Sequence, residues 1–203
     1  MQKIMFNDKF LLTQAVLRGE KTQTRRIVKD GTPLGNFEET MKHAPYKVGE
    51  IVAVAQCYKR MYAEMIIDFT KYNYHLSREE TAERFRKHYE NTAGWDNKMF
   101  VKGELMPHKI KITSVRIERL QEISDEDCLR EGLKFRYMNM GFGNAATRED
   151  YYYEYINGHN DVCDYGTRYP KETFSILMDR IAGYGTWESN PYVWVYDFEL
   201  VNK

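Results

Sequence analysis

The chain has few cysteines, and their arrangement excludes two kinds of stabilising site. Only three occur in 203 residues, at Cys57, Cys128 and Cys163, far from one another. An odd number of unpaired cysteines disfavours both a disulfide framework and a zinc site made of thiolates. This usage predicts a reducing environment, and we expect a cytoplasmic protein.

The sequence also lacks the spacing of a metal site. Its five histidines occur singly, without an HxH or HxxxH pair. Because a zinc ion usually takes several ligands at short, regular spacings, we predict no metal, and no motif indicates a cofactor. The histidines are His43, His75, His88, His108 and His159.

Excess charge of one sign and long apolar runs are missing as well. Lysine plus arginine and aspartate plus glutamate both number 30, which gives a formal net charge of zero. The protein therefore lacks the positive field that drives non-specific nucleic-acid binding, so any RNA must meet a local basic patch. No window approaches the ~20 apolar residues of a membrane span, and none follows Met1 to Phe6. We expect no membrane partner and no secretion.

What the sequence does contain is one stretch dense in reactive groups, from Gly19 to Arg26. It follows an apolar helical pattern that Asn7 can cap, and Gly19 suits the left-handed conformation just past a helix end. Lys21 and Thr24 are three residues apart, so on a straight strand they would face opposite sides. We therefore predict a curled, basic turn that leads into a strand near residues 27 and 28.

The length favours one domain, residues 1 to 203, with insertions at about 59–106 and 136–169. The first insertion contains a helical pattern from Ser77 to Tyr89 with an N-terminal capping box. The second is rich in tyrosine and has no clear period, which indicates a mobile flap. Its tyrosines suit stacking on an unpaired base, but packing against the domain is the interpretation we favour.

Several other segments have clear signals. Residues 51–58 form a near-continuous apolar run, typical of a strand buried on both faces. Ser124 can cap a short helix that ends at Gly132, and Glu131 would then lie in its last turn, where the helix dipole disfavours a negative charge. A surface glutamate is the alternative interpretation. A helix should begin at Pro170, and a closing strand should carry Trp194 and Tyr196 on its aromatic face.

The spacing of Gly19, Lys21, Thr24 and Arg26 resembles the signature Gly-x-Lys-x-x-Thr-x-Arg of the ASCH domain family. The resemblance continues through residues 46–50, 117–133 and 190–195 and is similar to the longer ASCH proteins of phages and prophages. It implies an α+β fold, a mainly antiparallel β-barrel of the PUA-like kind with flanking helices.

The same resemblance implies an amidohydrolase that removes an acyl group from the exocyclic amine of N4-acetylcytidine, free or in RNA. Thr24 would be the nucleophile, Lys21 the base, and Glu131 the group that protonates the leaving amine and later activates water. A lysine serves as a base only where burial or nearby cations lower its pKa. The substrate-binding residues would be Arg25, Arg26, Trp194 and Tyr196.

Three alternatives stay open at this point. In a non-catalytic RNA-binding module, Lys21, Arg25 and Arg26 would contact phosphate while tyrosines stack on bases. Some ASCH proteins are thought to be ribonucleases, which is the second alternative. In the third, the stretch is a solvated basic turn without a function, since charged turns usually lie on the surface.

Overall fold

The structure, a computed structural model, describes residues 1–72, 77–139 and 147–201. The α-helices are α1 (Leu12–Leu17), α2 (Phe37–Lys42), α3 (Tyr58–Tyr72), α4 (Ser77–Tyr89), α5 (Asp125–Arg130), α6 (Pro170–Ala182) and α7 (Thr186–Ser189). The strands are β1 (Lys3–Ile4), β2 (Gln23–Ile27), β3 (Ile51–Val54), β4 (Lys109–Arg119), β5 (Lys134–Asn139), β6 (Thr147–Ile156), β7 (Val162–Thr167) and β8 (Tyr192–Val201).

The fold mixes helices with two sheets. One sheet contains β5, β6 and β7 in that order, and both of its pairings are antiparallel. In the other sheet, β1 pairs in parallel with β3, and β4, β8 and β2 are neighbours in that order. This arrangement is compatible with the predicted α+β class. No closed barrel is found within the described ranges.

The chain forms two compact units. The first contains Met1–Phe6 and Ile51–Lys109, and the second contains Asn7–Glu50 and Ile110–Lys203. The first predicted insertion, residues 59–106, falls within the range of the first unit. That the chain is a single domain with two insertions stays a prediction.

The first unit has a core in which an aromatic ring is central. Tyr58 is 3% exposed, and the rings of Phe85 and Tyr89 on α4 lie 5.8 and 4.4 Å from it. The helix predicted from Ser77 to Tyr89 is confirmed as α4. Helix α3 was not predicted. β3 is shorter than the predicted strand, but residues 52–55 are all 0% exposed, so the expected burial on both faces is confirmed.

Helix α1 begins later than Asn7 and ends as predicted. Leu11 has a left-handed φ of 50°, and the first helical residue is Leu12. At the other end Gly19 has a φ of +76°. The Gly19 N–H donates to the Val16 carbonyl and the Glu20 N–H to the Ala15 carbonyl, each at 2.9 Å. This pair of bonds is a Schellman motif, which turns the chain directly toward Lys21.

The chain curls at Gly19 as predicted, but the second half of the predicted basic turn is a strand. β2 begins at Gln23 and pairs antiparallel with β8, so that Thr24 lies opposite Tyr196 and Arg26 opposite Trp194. The local sequence suggested a turn because of its charge and hydroxyl content. Hydrogen bonds to a strand about 170 residues away stabilise the extended backbone of β2 and override that preference.

The second predicted insertion is ordered as strands where it is described. β5, β6 and β7 form an antiparallel sheet, and residues 140–146 lie outside the described residues. Tyr153 is 1% exposed and packs edge-to-face on Phe10, with ring centroids 5.9 Å apart. Packing of this tyrosine against the second unit is therefore confirmed. Tyrosine favours strands, which explains why this segment is not an irregular flap.

Two helices of the second unit follow their sequence signals. The Ser124 hydroxyl accepts the Asp127 N–H at 3.1 Å, and α5 ends at Arg130. Glu131 is thus the residue after the helix, and Gly132 follows with a φ of +104°. Helix α6 begins at Pro170 as predicted, and its buried side contains Phe174, Leu177 and Met178.

Candidate functional site

Lys21 and Glu131 form a buried ion pair in the second unit. The Lys21 Nζ donates to Glu131 Oε2 at 2.5 Å and to the Glu131 backbone oxygen at 2.7 Å. Lys21 is 2% exposed and Glu131 is 5% exposed. Lys21 directly follows the Schellman motif at the end of α1, and Glu131 directly follows α5. Two of the three predicted catalytic residues therefore meet, although they are 110 positions apart.

Arg25 holds the other oxygen of the same carboxylate. Its Nη1 donates to Glu131 Oε1 at 3.1 Å and to Gln23 Oε1 at 2.5 Å. Its Nη2 donates to Glu118 at 2.6 Å and Asp127 at 3.0 Å, and its Nε donates to Glu118 at 3.2 Å. A guanidinium has five N–H groups, and these five bonds use all of them. No N–H of Arg25 is left to contact a substrate.

These residues belong to a larger set of interlocking ion pairs, here called the paired-charge cluster. Its contacts range from 2.5 to 3.4 Å between nitrogen and oxygen. The cations and carboxylates are equal in number, so the cluster is neutral as a whole. The cluster consists of Lys21, Arg25, Arg116 and Arg130 with Glu118, Asp127, Glu131 and Asp197.

Burial and the partners within the cluster shift several pKa values. Burial lowers the pKa of Lys21, although the Glu131 carboxylate opposes this effect. Burial also works to lower the pKa of Arg25, but Glu131 and Glu118 outweigh it and the pKa is raised. For Asp127, burial works to raise the pKa, and hydrogen bonds from Arg25 and Gln23 bring it below its usual value.

Thr24 lies on the other face of β2. Successive side chains of a strand alternate, so Gln23 and Arg25 share one face and Thr24 and Arg26 share the opposite one. Thr24 is 5% exposed, and no hydrogen bond joins its hydroxyl to Lys21 or Glu131. The structure thus does not show the expected direct contact between the proposed nucleophile and its base.

The face of β2 that carries Thr24 meets aromatic residues of β8. Tyr196 is 0% and Trp194 is 2% exposed, and the Tyr46 ring lies edge-on to Tyr196 at 5.3 Å. The Tyr196 hydroxyl is buried and makes no hydrogen bond of good geometry, although the Tyr46 backbone lies near it. Burial raises the pKa of this phenol. A buried polar atom without a partner is uncommon and needs an explanation.

The charge of Arg26 acts on groups that lie on both sides of β2. Burial lowers the pKa of its guanidinium, and the attraction of Tyr46, Glu131 and Tyr196 opposes this. Arg26 is therefore electrostatically coupled to the Lys21–Glu131 pair and to the aromatic residues opposite Thr24. Arg26 thus interacts electrostatically with Glu131, a predicted catalytic residue, and with Tyr196, a predicted substrate-binding residue.

Most of the paired-charge cluster was missed by sequence reasoning. One signal was available: Asp197 shares a face of β8 with Val193 and Val195, which are both 0% exposed. A carboxylate on a buried face requires a cation or several hydrogen bonds. Asp197 accepts Gln23 Nε2 at 2.7 Å and Arg130 at 2.7 Å. The identity of those donors depends on contacts that no sequence pattern displays.

The burial of this stretch bears on the alternatives. Lys21 and Arg25 are 2% and 6% exposed, so the interpretation as a solvated basic turn is wrong. Both side chains bind carboxylates of the protein instead of facing solvent. Lys21 and Arg25, two of the three residues that would contact phosphate in an RNA-binding module, are therefore already paired with carboxylates of the protein.

Surface clefts occur elsewhere on the second unit. One, of about 310 Å³, is lined by Arg136, Tyr152, Glu154 and neighbours on β7, and another, of about 410 Å³, lies beside Asp8 and Asn157. None of the predicted site residues lines either cleft.

Within the described ranges, no group of three or more His, Cys, Asp or Glu residues is arranged to hold a metal ion. Of the helices in the described part of the chain, none has the length and apolar character needed to span a bilayer.

Comparison with known proteins gave no further assignment. No protein-family model matches the chain, and no curated protein or solved structure matches it.

Proposed function

We propose that the protein is an amidohydrolase that removes an acyl group from the exocyclic amine of a modified cytidine, with N4-acetylcytidine as the reference substrate. The resemblance to the ASCH signature supplies the substrate class. The observation that supports the chemistry is the buried hydrogen bond of 2.5 Å between Lys21 and Glu131. We also propose a PUA-like fold of the ASCH kind for this chain.

The pair has the composition that amide hydrolysis needs. Transfer of one proton from Lys21 Nζ to Glu131 Oε2 converts the ion pair into a neutral amine and a carboxylic acid. The amine is then a base and the acid is a proton donor, and the charge of the site is unchanged. Burial disfavours charged forms, and it lowers the pKa of Lys21. A lowered pKa favours the neutral amine, which is the form of Lys21 that can accept a proton.

The reaction follows in two steps. No hydrogen bond joins Thr24 to Lys21 in the structure, so the proposal requires substrate binding to bring the threonine hydroxyl within reach of the lysine. Thr24 Oγ then attacks the acetyl carbon and gives its proton to Lys21, the C–N bond breaks, and the leaving cytidine amine takes the proton of Glu131. Glu131 then removes a proton from water, which attacks the acyl-threonine. Acetic acid leaves, and Thr24 Oγ recovers its proton from Lys21. The sum is one amide and one water converted to one amine and one acid.

The roles of Thr24 and Arg26 rest on the motif. Thr24 lies opposite Tyr196, whose buried hydroxyl makes no hydrogen bond of good geometry. A polar group of a substrate bound beside Thr24 would give that hydroxyl a hydrogen bond. Arg26 carries a positive charge near the same residues and would stabilise the oxyanion that forms at the acetyl oxygen.

A matched pair of threonine variants tests the proposal. The intact protein, Thr24→Ala and Thr22→Ala are each incubated with N4-acetylcytidine and with other acylated nucleosides, and free cytidine is measured by mass spectrometry. Thr22→Ala is the control, because it removes the hydroxyl of a threonine two residues earlier that has no role in the proposed reaction. We expect Thr24→Ala to lose at least about 100-fold in kcat and Thr22→Ala to keep it.

Two results would contradict the proposal. No release of cytidine or of any other nucleoside by the intact protein would exclude the activity. Full hydrolysis by Thr24→Ala would exclude the nucleophile assignment while leaving the acid–base pair to be tested separately.

A further inference from the structure

We propose that Arg25 is a positioning residue, which orients the Glu131 carboxylate toward Lys21, and that it does not bind substrate as the sequence suggested. The inference rests on the proposed function for its activity assay. It also makes a claim about the geometry of the ion pair that is tested without turnover.

The two oxygens of Glu131 have different partners. Oε2 accepts from Lys21 at 2.5 Å, and Oε1 accepts from Arg25 at 3.1 Å. A carboxylate held at one oxygen can still rotate about its last bond, whereas one held at both cannot. Arg25 therefore fixes the plane of the carboxylate and keeps Oε2 directed at the lysine.

Arg25 is itself held rigidly. Its side chain is 0% exposed, and Glu118, Asp127 and Gln23 accept its four remaining hydrogen bonds. These acceptors come from β4, α5 and β2, so three elements set the position of one guanidinium. A planar group with five donors suits this arrangement, and a lysine ammonium would satisfy only part of it.

Three cations act on the Glu131 carboxylate. Lys21 and Arg25 contact Glu131 directly, and Arg26 acts on it through its charge. Arg116 belongs to the same cluster and binds Glu118, Asp127 and Asp197 at 2.6 to 3.1 Å, but it contacts neither Lys21 nor Glu131. Arg116 is thus a matched control, because it carries the same charge in the same cluster.

The activity test compares Arg25→Gln, Arg25→Lys and Arg116→Gln with the intact protein on N4-acetylcytidine, after circular dichroism has established that each is folded. We expect Arg25→Gln to lower kcat by about 100-fold, the scale of a small misplacement of a catalytic group, and to change KM by less than about twofold. Arg25→Lys should lie between it and the intact protein, and Arg116→Gln should lower kcat much less than Arg25→Gln does, because Arg116 does not contact Glu131. An increase in KM with unchanged kcat, or equal losses in Arg25→Gln and Arg116→Gln, would overturn the proposal.

A spectroscopic test covers the case in which the variants do not fold or the protein does not hydrolyse the substrate. In the intact protein labelled with nitrogen-15 arginine, a fixed Arg25 should give separate guanidinium proton resonances that exchange slowly with water. A single averaged Arg25 resonance would overturn the proposal. Separate resonances without turnover of any acylated nucleoside would support the positioning of Glu131 and reject the proposed function.

Discussion

At the scale of the residue, the unusual feature is a fully enclosed lysine. An ammonium group inside a protein loses its hydration, and only a close partner compensates for that cost. Lys21 has this partner in Glu131, and the remaining charges of the paired-charge cluster are balanced in the same way. We therefore expect the balance of charges within the cluster to affect the free energy of unfolding as much as any single hydrogen bond does.

Removal of one partner and removal of both should differ in stability. Lys21→Met leaves the Glu131 carboxylate buried with one cation fewer, and we expect a loss of about 3–5 kcal/mol in the free energy of unfolding. The double variant with Glu131→Gln restores a balance of charges and should be more stable than the single variant. Denaturation by urea at neutral pH measures both.

An exposed ion pair provides the comparison. Lys42 binds Glu39 at 2.8 Å with its side chain 71% exposed, and Lys42→Met should change the free energy of unfolding by less than about 1 kcal/mol. A double variant that is less stable than Lys21→Met would refute the balance of charges as the governing factor.

At the scale of the element, the Schellman motif at Gly19 determines where Lys21 lies. An alanine at Gly19 would meet no atom within 4 Å, so its effect comes only from the positive φ of +76°. We expect Gly19→Ala to lower the free energy of unfolding by about 1–2 kcal/mol. Thermal or urea denaturation is the measurement.

Gly35 is the matched control for that change. It also has no atom within 4 Å of an added Cβ, and it has no positive φ. Gly35→Ala should be neutral or slightly stabilising, because alanine restricts the unfolded chain. Equal losses at the two glycines would show that backbone conformation is not the reason for the glycine at position 19.

The sequence predicted elements best where the signal is local. The Ser124 cap, Pro170 at the start of α6 and Gly19 after α1 all depend on hydrogen bonds or dihedral angles within a few residues. Strand β2 was predicted to start too late, because its first residues owe their conformation to β8. The three strands in the second predicted insertion were missed for the same reason.

At the scale of the whole molecule, the candidate site shows what a pattern within one sequence leaves out. Resemblance to a family suggested Lys21 and Glu131, and the structure brings them together. The same resemblance could not reveal that Arg25 donates all five of its N–H groups to acceptors within the protein. Its acceptors Glu118, Asp127 and Glu131 lie 93 to 106 residues away, and only the folded chain makes them neighbours.

The most direct test of the central claim, that Lys21 and Glu131 act together as acid and base, is kcat on N4-acetylcytidine for Glu131→Gln, Lys21→Met and their double variant. Glu126→Gln, an exposed position on α5, is the control. Since general acid–base groups contribute about 100-fold or more, each single variant should lose that much, and the double variant little more, because the two residues act as one unit. Folded single variants that keep kcat within about tenfold of the intact protein would contradict the account.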